Sequence, residues 1–223
     1  MEKNTSLNIL GCFPEGLNML FELADESKNI KSFNILKNIP VKNPEFYVPN
    51  KKYQVTTFNC YESHNKFNTN DGYVFSVVGT KSKEIVFNYF KQQIQMENKQ
   101  FLNLIHPTAF VSRSSHFNYG IQVESMCSIS VLSNLGFGVN IKRNCNIGHH
   151  CNIGNFVTIN PGVTVCGFVK IGNNTMIGAG SSIKDGITIG ANSIIGLGSV
   201  VVKDIPDNSV AYGNPCKVHR INE

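Results

Sequence analysis

Residues 145–165 read CNIGHHCNIGNFVTINPGVTV, with a large apolar residue at every sixth position: Ile147, Ile153, Ile159 and Val165. Followed outward in both directions, the register runs without a slip from Ile105 to Val201, seventeen hexads in all. Glycine comes directly after the apolar residue at Gly136, Gly148, Gly154, Gly172, Gly178, Gly190 and Gly196. Four residues after it stands a smaller or β-branched side chain, among them Ser115, Cys127, Cys145, Cys151, Val157, Thr175, Ser181 and Ser193. An α-helix, repeating every ~3.6 residues, drifts out of such a register within a few turns. A period of six held over nearly a hundred residues predicts a parallel β-helix, in which each hexad gives one short strand and a turn. Three hexads then close a triangular coil of eighteen residues. The apolar residue points into the prism, and the glycine is expected to permit backbone conformations that a Cβ opposes. Cys127 and Cys145 stack one coil apart and read as small buried hydrophobes.

The remaining composition excludes several classes. The chain has 223 residues, 41% apolar and 16% charged, with no tryptophan, which fits an ordinary folded domain or two. No apolar run approaches the ~18 residues of a membrane span. The opening MEKNTSLNILGCFPEG lacks the long apolar core of a signal peptide, so a cytoplasmic location is expected. Seven cysteines include no C-x-x-C pair, which argues against both a disulfide framework and a zinc ribbon. The net charge of +5 is dispersed, with no basic stripe of the kind that binds nucleic acid. It suits a small polyanion such as a nucleotide diphosphate.

No hexads precede Ile105, so residues 1–104 read as one domain and 105–223 as another. In the first, Leu7 to Leu10 is a short strand running into GCFPEG, and Leu17, Leu20, Phe21 and Ala24 mark one face of a helix. Further strands are predicted at Ser32 to Leu36, within NKKYQVTTFN, and at Tyr73 to Gly79. A second helix follows, with Thr80 as its N-cap and Ile85, Val86, Tyr89, Phe90 and Ile94 inward. Strand–glycine–helix, twice over, predicts a small Rossmann-like α/β sheet with ligands at the strand ends. Helix N-termini after Gly11 and Gly79 would offer backbone N–H groups to phosphate.

The repeat array resembles that of the hexapeptide-repeat acyltransferases, whose coils wind left-handed. The tail GSVVVKDIPDNSVAYGNPCKVHR is similar to the closing signature of that superfamily, with Gly213, Asn214 and Pro215. Preceded by a small α/β domain, the whole resembles the bacterial nucleotide-sugar acetyltransferases of surface-glycan biosynthesis. These include the bacillosamine-pathway enzymes, the GDP-perosamine acetyltransferases and the sialic acid O-acetyltransferases. The resemblance implies acetyl-CoA as co-substrate, no metal, a nucleotide-linked amino sugar as acceptor, and a homotrimer with active sites between subunits. It also implies that IGHHCNIG carries the general base, at His149.

The chemistry suits that residue. A nucleophile attacking a thioester must lose a proton, and imidazole can accept one near neutrality. Eighteen residues on, Gly167 is expected to leave room for the thioester arm; the resemblance implies Thr158, Ala179 and Leu197 along the coenzyme, and Lys217 is a candidate for its phosphates. Lys184, Lys203 and Arg220 are further candidates for its phosphates. The acceptor would meet Phe13, Pro14 and Glu15, which replace the relatives' Ser-Gly-His turn. It would also meet Lys37 and Asn38, where relatives carry an acidic pair, and the matching Gly79 and Thr80. His150 stands where many relatives have a carboxylate, so either another carboxylate orients His149 or the base is weaker. His64, in a predicted loop, His106, His116, read as a turn residue, and His219 are assigned structural or solvated roles.

Other readings stay open on the sequence. The same family acetylates sugar hydroxyls as well as amines. A β-helical carbonic anhydrase would need about three histidines around zinc. A non-catalytic binding module could share the fold.

Overall fold

Each inward residue of the repeat lies on a two-residue strand, from Leu104–Ile105 to Val200–Val201. The structure, a computed structural model, describes residues 6–40, 53–62 and 71–223; His64 lies outside them. Each short strand up to Ser182–Ile183 pairs in parallel with the strand eighteen residues later, as Asn134 with Asn152 and Ile147 with Val165. Seventeen such strands among the described residues form three parallel sheets, one for each face of a triangular prism. The first face begins at 104–105, the second at 110–111 and the third at 116–117. Strands Ser209–Tyr212 and Lys217–Ile221 extend the first face, the last of them antiparallel.

The inward residues make a continuous aliphatic column. Val123, Ile141, Ile159, Ile177 and Ile195 succeed one another on the first face and are at most 1% exposed. Each such burial is worth roughly 1.5–3 kcal/mol before entropy is subtracted. The small residue four places after the inward one has a second task. Ser133 donates to the Gly148 carbonyl at 2.8 Å, Thr175 to Gly190 at 2.7 Å and Ser181 to Gly196 at 3.0 Å. Cys127, Cys145 and Cys151 occupy the same position and direct their thiols to carbonyls of the next coil at 3.0–3.1 Å. These cysteines are therefore hydrogen-bond donors as well as packed hydrophobes.

The glycines after the inward residues serve sterics rather than backbone freedom. A Cβ on Gly148 would lie 2.5 Å from the Cys166 carbonyl carbon, and one on Gly172 would lie 2.4 Å from the Ala191 nitrogen. The next coil simply passes too close. The left-handed conformation falls two residues later, at Gly120, Met126, Leu132, Gly138, Asn144, His150, Phe156 and onward to Gly198. Several non-glycine residues accept that cost because inter-coil hydrogen bonds fix the turn, as His150 N–H to Val131 O at 3.0 Å.

Residues 1–104 form a separate compact unit from 105–223. Its sheet is parallel, in the order β3-β2-β1-β4, from β1 (Ser6–Leu10), β2 (Ser32–Lys37), β3 (Gln54–Asn59) and β4 (Gly72–Phe75). Helix α1 (Pro14–Lys28) buries Leu17, Leu20, Phe21 and Ala24, as its sequence pattern requires. Helix α2 (Thr80–Ile94) departs from expectation. Its inward face is Lys83, Val86, Phe87 and Phe90, while Ile85 is 63% exposed and Tyr89 and Ile94 are partly exposed. Lys83 occupies a core-facing position and hides the true stripe from a reading by hydrophobicity. Gly79, not Thr80, is the N-cap, and β4 ends at Phe75, short of the predicted Gly79.

Two sets of substitutions test this architecture. Ile159→Asp places a carboxyl among stacked aliphatics, where even a neutral polar group without a partner costs ~2–7 kcal/mol. Its cooperative thermal transition by circular dichroism should be lost, whereas exposed Thr164→Asp should melt normally. Gly180→Ala meets no atom within 4 Å but keeps a φ of +68°, so it should cost about 1–2 kcal/mol. Gly172→Ala must push two coils apart and should cost more; the reverse order of melting temperatures would refute the steric role.

Candidate functional site

The second and third faces meet at an edge formed by residues 148–151, between strands Asn146–Ile147 and Asn152–Ile153. Core residues Ile147 and Cys151 hold the turn from inside, and His149 and His150 project from it, both exposed. The eighteen-residue register sets Gly167 and Phe168 directly beyond them. A Cβ on Gly167 would stand 2.7 Å from both Cε1 and Nε2 of His149. The imidazole therefore leans over the glycine with its Nε2 edge. The space that a side chain at residue 167 would fill is taken by the His149 ring.

Three rings close the arrangement. His149 meets Phe168 edge-on, with ring centroids 4.9 Å apart, and His150 stacks on the same Phe168 at 4.9 Å with a 24° tilt. The two histidines are perpendicular, and their Nδ1 atoms are 3.1 Å apart. Among the described residues no carboxylate lies within ion-pair distance of His149. On the same edge, Asp185 instead accepts from Cys166, whose thiol is pushed up first by burial and then by that contact, and Asp204 accepts from the Thr188 N–H at 2.8 Å. The sequence reading missed Phe168 and the direct contact of His150. Their signal was the register, which places 168 over 150.

The positions assigned to the coenzyme are divided: Gly167, Lys184 and Lys203 fall on the edge that carries His149, and the others elsewhere on the prism. Ala179 and Leu197 share the edge between the first and second faces, exposed, with Leu197 82% open. Lys217 lies on the terminal strand, and Lys184, Lys203 and Arg220 are exposed too. Thr158 is only 2% exposed, so its side chain presents almost no free surface.

In the N-terminal unit, Phe13, Pro14 and Glu15 start α1, with Phe13 as N-cap and no side-chain cap. Gly11, at φ +88°, and Gly16 permit a tight approach to the end of β4; a Cβ on Gly16 would collide with the Ser76 carbonyl. The Ser76 hydroxyl accepts from Phe13 N–H at 3.4 Å and donates to the Leu10 carbonyl at 3.2 Å. Lys37 closes β2 and is buried, 3% exposed, its Nζ 6.0 Å from the Tyr61 ring centroid. The Cys12 thiol is raised by burial against the pull of Lys37, and burial lifts the Cys60 thiol to about 11. Asn38 is partly exposed, and Gly79 and Thr80 begin α2, Thr80 buried. The residues assigned to the acceptor lie at or just after the carboxyl ends of β1, β2 and β4, and Cys60 and Tyr61 follow β3.

The other histidines take minor places. His106 Nδ1 contacts the Thr108 hydroxyl, and His219 stacks on Tyr212 with centroids 3.7 Å apart. His116 sits on strand His116–Phe117 rather than in a turn, and lines a third-face groove with Tyr119, Asn134 and Asn152 that does not include His149. No group of three or more His, Cys, Asp or Glu able to hold a metal occurs among the described residues.

The bacterial transferase hexapeptide family (six repeats) matches residues 168–203. No curated relative matches the sequence. Among solved structures, the chain is similar to a His-to-Asn variant of perosamine N-acetyltransferase from Caulobacter crescentus, solved with CoA and GDP-perosamine. That match has 21% identity, covers 98% of each chain and has a TM-score of 0.80. The acetyltransferase domain of PglB from Neisseria gonorrhoeae, solved with acetyl coenzyme A, is 24% identical over 97% of this chain and 100% of that one, with a TM-score of 0.81. WeeI from Acinetobacter baumannii is 17% identical over 96% of this chain and 100% of its own, with a TM-score of 0.75. The chain thus carries the hexapeptide repeat and the left-handed β-helix fold of these acetyltransferases.

The seat of His149 can be tested without any substrate. Gly167 has no positive φ, and the three atoms nearest its added Cβ all belong to the movable imidazole. Gly167→Ala should therefore melt within about 0.5 kcal/mol of the parent while the His149 ring resonances shift in NMR. Unmoved resonances would show that the ring does not lie over residue 167.

Proposed function

We propose that the protein is an acetyl-CoA-dependent N-acetyltransferase acting on the amino group of a nucleotide-linked amino-dideoxy sugar. The observation that carries this reading is the exposed His149 ring, its Nε2 edge seated over Gly167 on a prism edge. The folds it shares are those of proteins solved with CoA, acetyl coenzyme A and GDP-perosamine, which supports the choice of both substrates.

In this reading the acceptor amine attacks the thioester carbonyl and passes its proton to His149 Nε2. The carbon–sulfur bond then breaks, and coenzyme A leaves as its thiol after protonation. The Gly167 N–H, which has no backbone acceptor among the described residues, is the donor we assign to the developing oxyanion. One such base contributes typically 10²–10⁴-fold to the rate. Ala179 and Leu197 belong to a different edge from His149, and Lys217 to the terminal strand of the first face. A coenzyme touching both sets fits between two prisms, in a homotrimer. The His149 edge also exposes Val131, Leu132 and Phe168, at 45%, 47% and 55%, apolar surface that a second prism would cover.

The acceptor's nucleotide would lie on the N-terminal unit, which we read as Rossmann-like. Strand order reverses between β1 and β4, and ligands of open α/β sheets bind at such a switch point. The uncapped N-terminus of α2, after Gly79, offers backbone donors to phosphate there. Buried Lys37, in place of an acidic pair, would favour a base that presents carbonyl acceptors. Among the described residues no helix is long and apolar enough to cross a membrane, and the use of acetyl-CoA fits a cytoplasmic enzyme.

Acetyl transfer should be assayed with UDP-, dTDP- and GDP-linked 4-amino sugars against their hydroxyl counterparts. Transfer to an amine is expected, with His149→Ala lowering kcat at least about 100-fold and His150→Ala far less. Preference for hydroxyls would convert the reading to O-acetylation, and full activity of His149→Ala would end it.

A further inference from the structure

A hydrogen bond between two imidazoles constrains which nitrogen of each carries a proton. The Nδ1 atoms of His149 and His150 are 3.1 Å apart, so one must donate and the other accept when both rings are neutral. If His149 accepted, its only proton would sit on Nε2, the atom that faces Gly167, and that edge could not take a proton from a nucleophile. If His149 donates, Nδ1 carries the proton and Nε2 presents a lone pair.

The surroundings of the two rings distinguish them. The Nε2 edge of His149 lies over a residue without a side chain. His150 is held face to face against Phe168 and springs from a left-handed backbone, φ +57°. That turn is fixed by the His150 N–H bond to the Val131 carbonyl. The fold therefore braces the His150 ring beside His149 Nδ1 and leaves the Nε2 edge of His149 over Gly167. Of the other titratable groups on this prism edge, Asp185 is engaged with Cys166 and Asp204 accepts from the Thr188 N–H at 2.8 Å, while Arg113, Lys184 and Lys203 are exposed cations.

We infer that His150 is a positioning residue: its neutral Nδ1 accepts the Nδ1 proton of His149 and locks His149 in the tautomer whose Nε2 is free to act as base. The inference rests on the acetyltransferase reading of His149 for its catalytic consequence, though not for its structural content. When Nε2 takes up the acceptor's proton, His149 becomes an imidazolium that still donates from Nδ1 to His150. No proton moves onto His150. A neutral acceptor here does by geometry what a neighbouring carboxylate would do by charge and geometry together.

The test uses the full chain labelled with ¹⁵N histidine, with long-range ¹H–¹⁵N correlation at a pH where both rings are neutral. His149 should show a protonated Nδ1 and a bare Nε2, and His150 the opposite. In His150→Ala, His149 should shift toward the Nε2-protonated form, and kcat should fall about tenfold with KM for acetyl-CoA within about twofold. His150→Gln, whose amide oxygen can accept, should recover both the tautomer and most of kcat. A protonated Nε2 on resting His149, an unchanged tautomer in His150→Ala, or no recovery in His150→Gln would each overturn the inference. Loss of activity in His149→Ala alongside any of these would leave the acetyltransferase reading standing. Full activity of His149→Ala with the stated tautomers would sink that reading alone.

Discussion

Everything in the C-terminal unit depends on the distance between one coil and the next. Parallel backbone bonds fix neighbouring strands at about 4.8 Å, and an eighteen-residue circuit brings each residue back over its counterpart. That spacing explains the two kinds of turn residue. Glycine is needed where the overlying backbone would strike a Cβ, as at Gly148 and Gly172. A left-handed residue is needed where the chain turns the corner, and there the inter-coil bond compels even His150 and Phe168 to adopt it. The side-chain donors at Ser133, Cys145 and Thr175 reinforce the same spacing from inside.

A scaffold of this kind leaves little freedom on its faces, and chemistry gathers at its edges. Outward residues of a face stand in ladders, each flanked above and below. An edge residue projects past its neighbours, and omission of one side chain gives the next room to lean. Gly167 is such an omission. It lets the His149 ring settle at a defined angle, while Phe168, from the same turn, braces both imidazoles. The rigidity that would fix a base within tenths of an ångström comes from backbone already committed to the repeat, so the site needs few supporting side chains of its own.

The fold was legible because the repeat is nearly one-dimensional. Each hexad meets the same environment as its neighbours, so a period in sequence is a period in space. The inward column from Val123 to Ile195, and the pairing of Gly167 with His149, both follow from counting. The N-terminal unit offers no such redundancy. Helix α2 buries a lysine, so its inward stripe could not be found by apolarity, and Ile85 took the place of Phe87 in the expected face. Nothing in the sequence said that Thr158 and Lys37 are closed from solvent, because their burial depends on tertiary neighbours rather than on residue type. The function of the glycines was likewise misread: a clash with a residue eighteen positions away leaves no local mark.

The histidine pair shows how a local departure from a pattern can be resolved by geometry. On sequence, His150 looked like a liability, since a second imidazole gives no negative charge to strengthen a base and opposes it when protonated. The 3.1 Å approach of the two Nδ1 atoms changes the question from charge to tautomer. A base needs its lone pair on the outward nitrogen, and any fixed acceptor at the inward one supplies that condition. What a neutral acceptor does not supply is the electrostatic support of an imidazolium. In the proposed acetyltransferase, a site built this way would rely more on an oxyanion donor and on exclusion of water at the edge, which the exposed apolar surface of Val131, Leu132 and Phe168 would suit if a second prism lay against it.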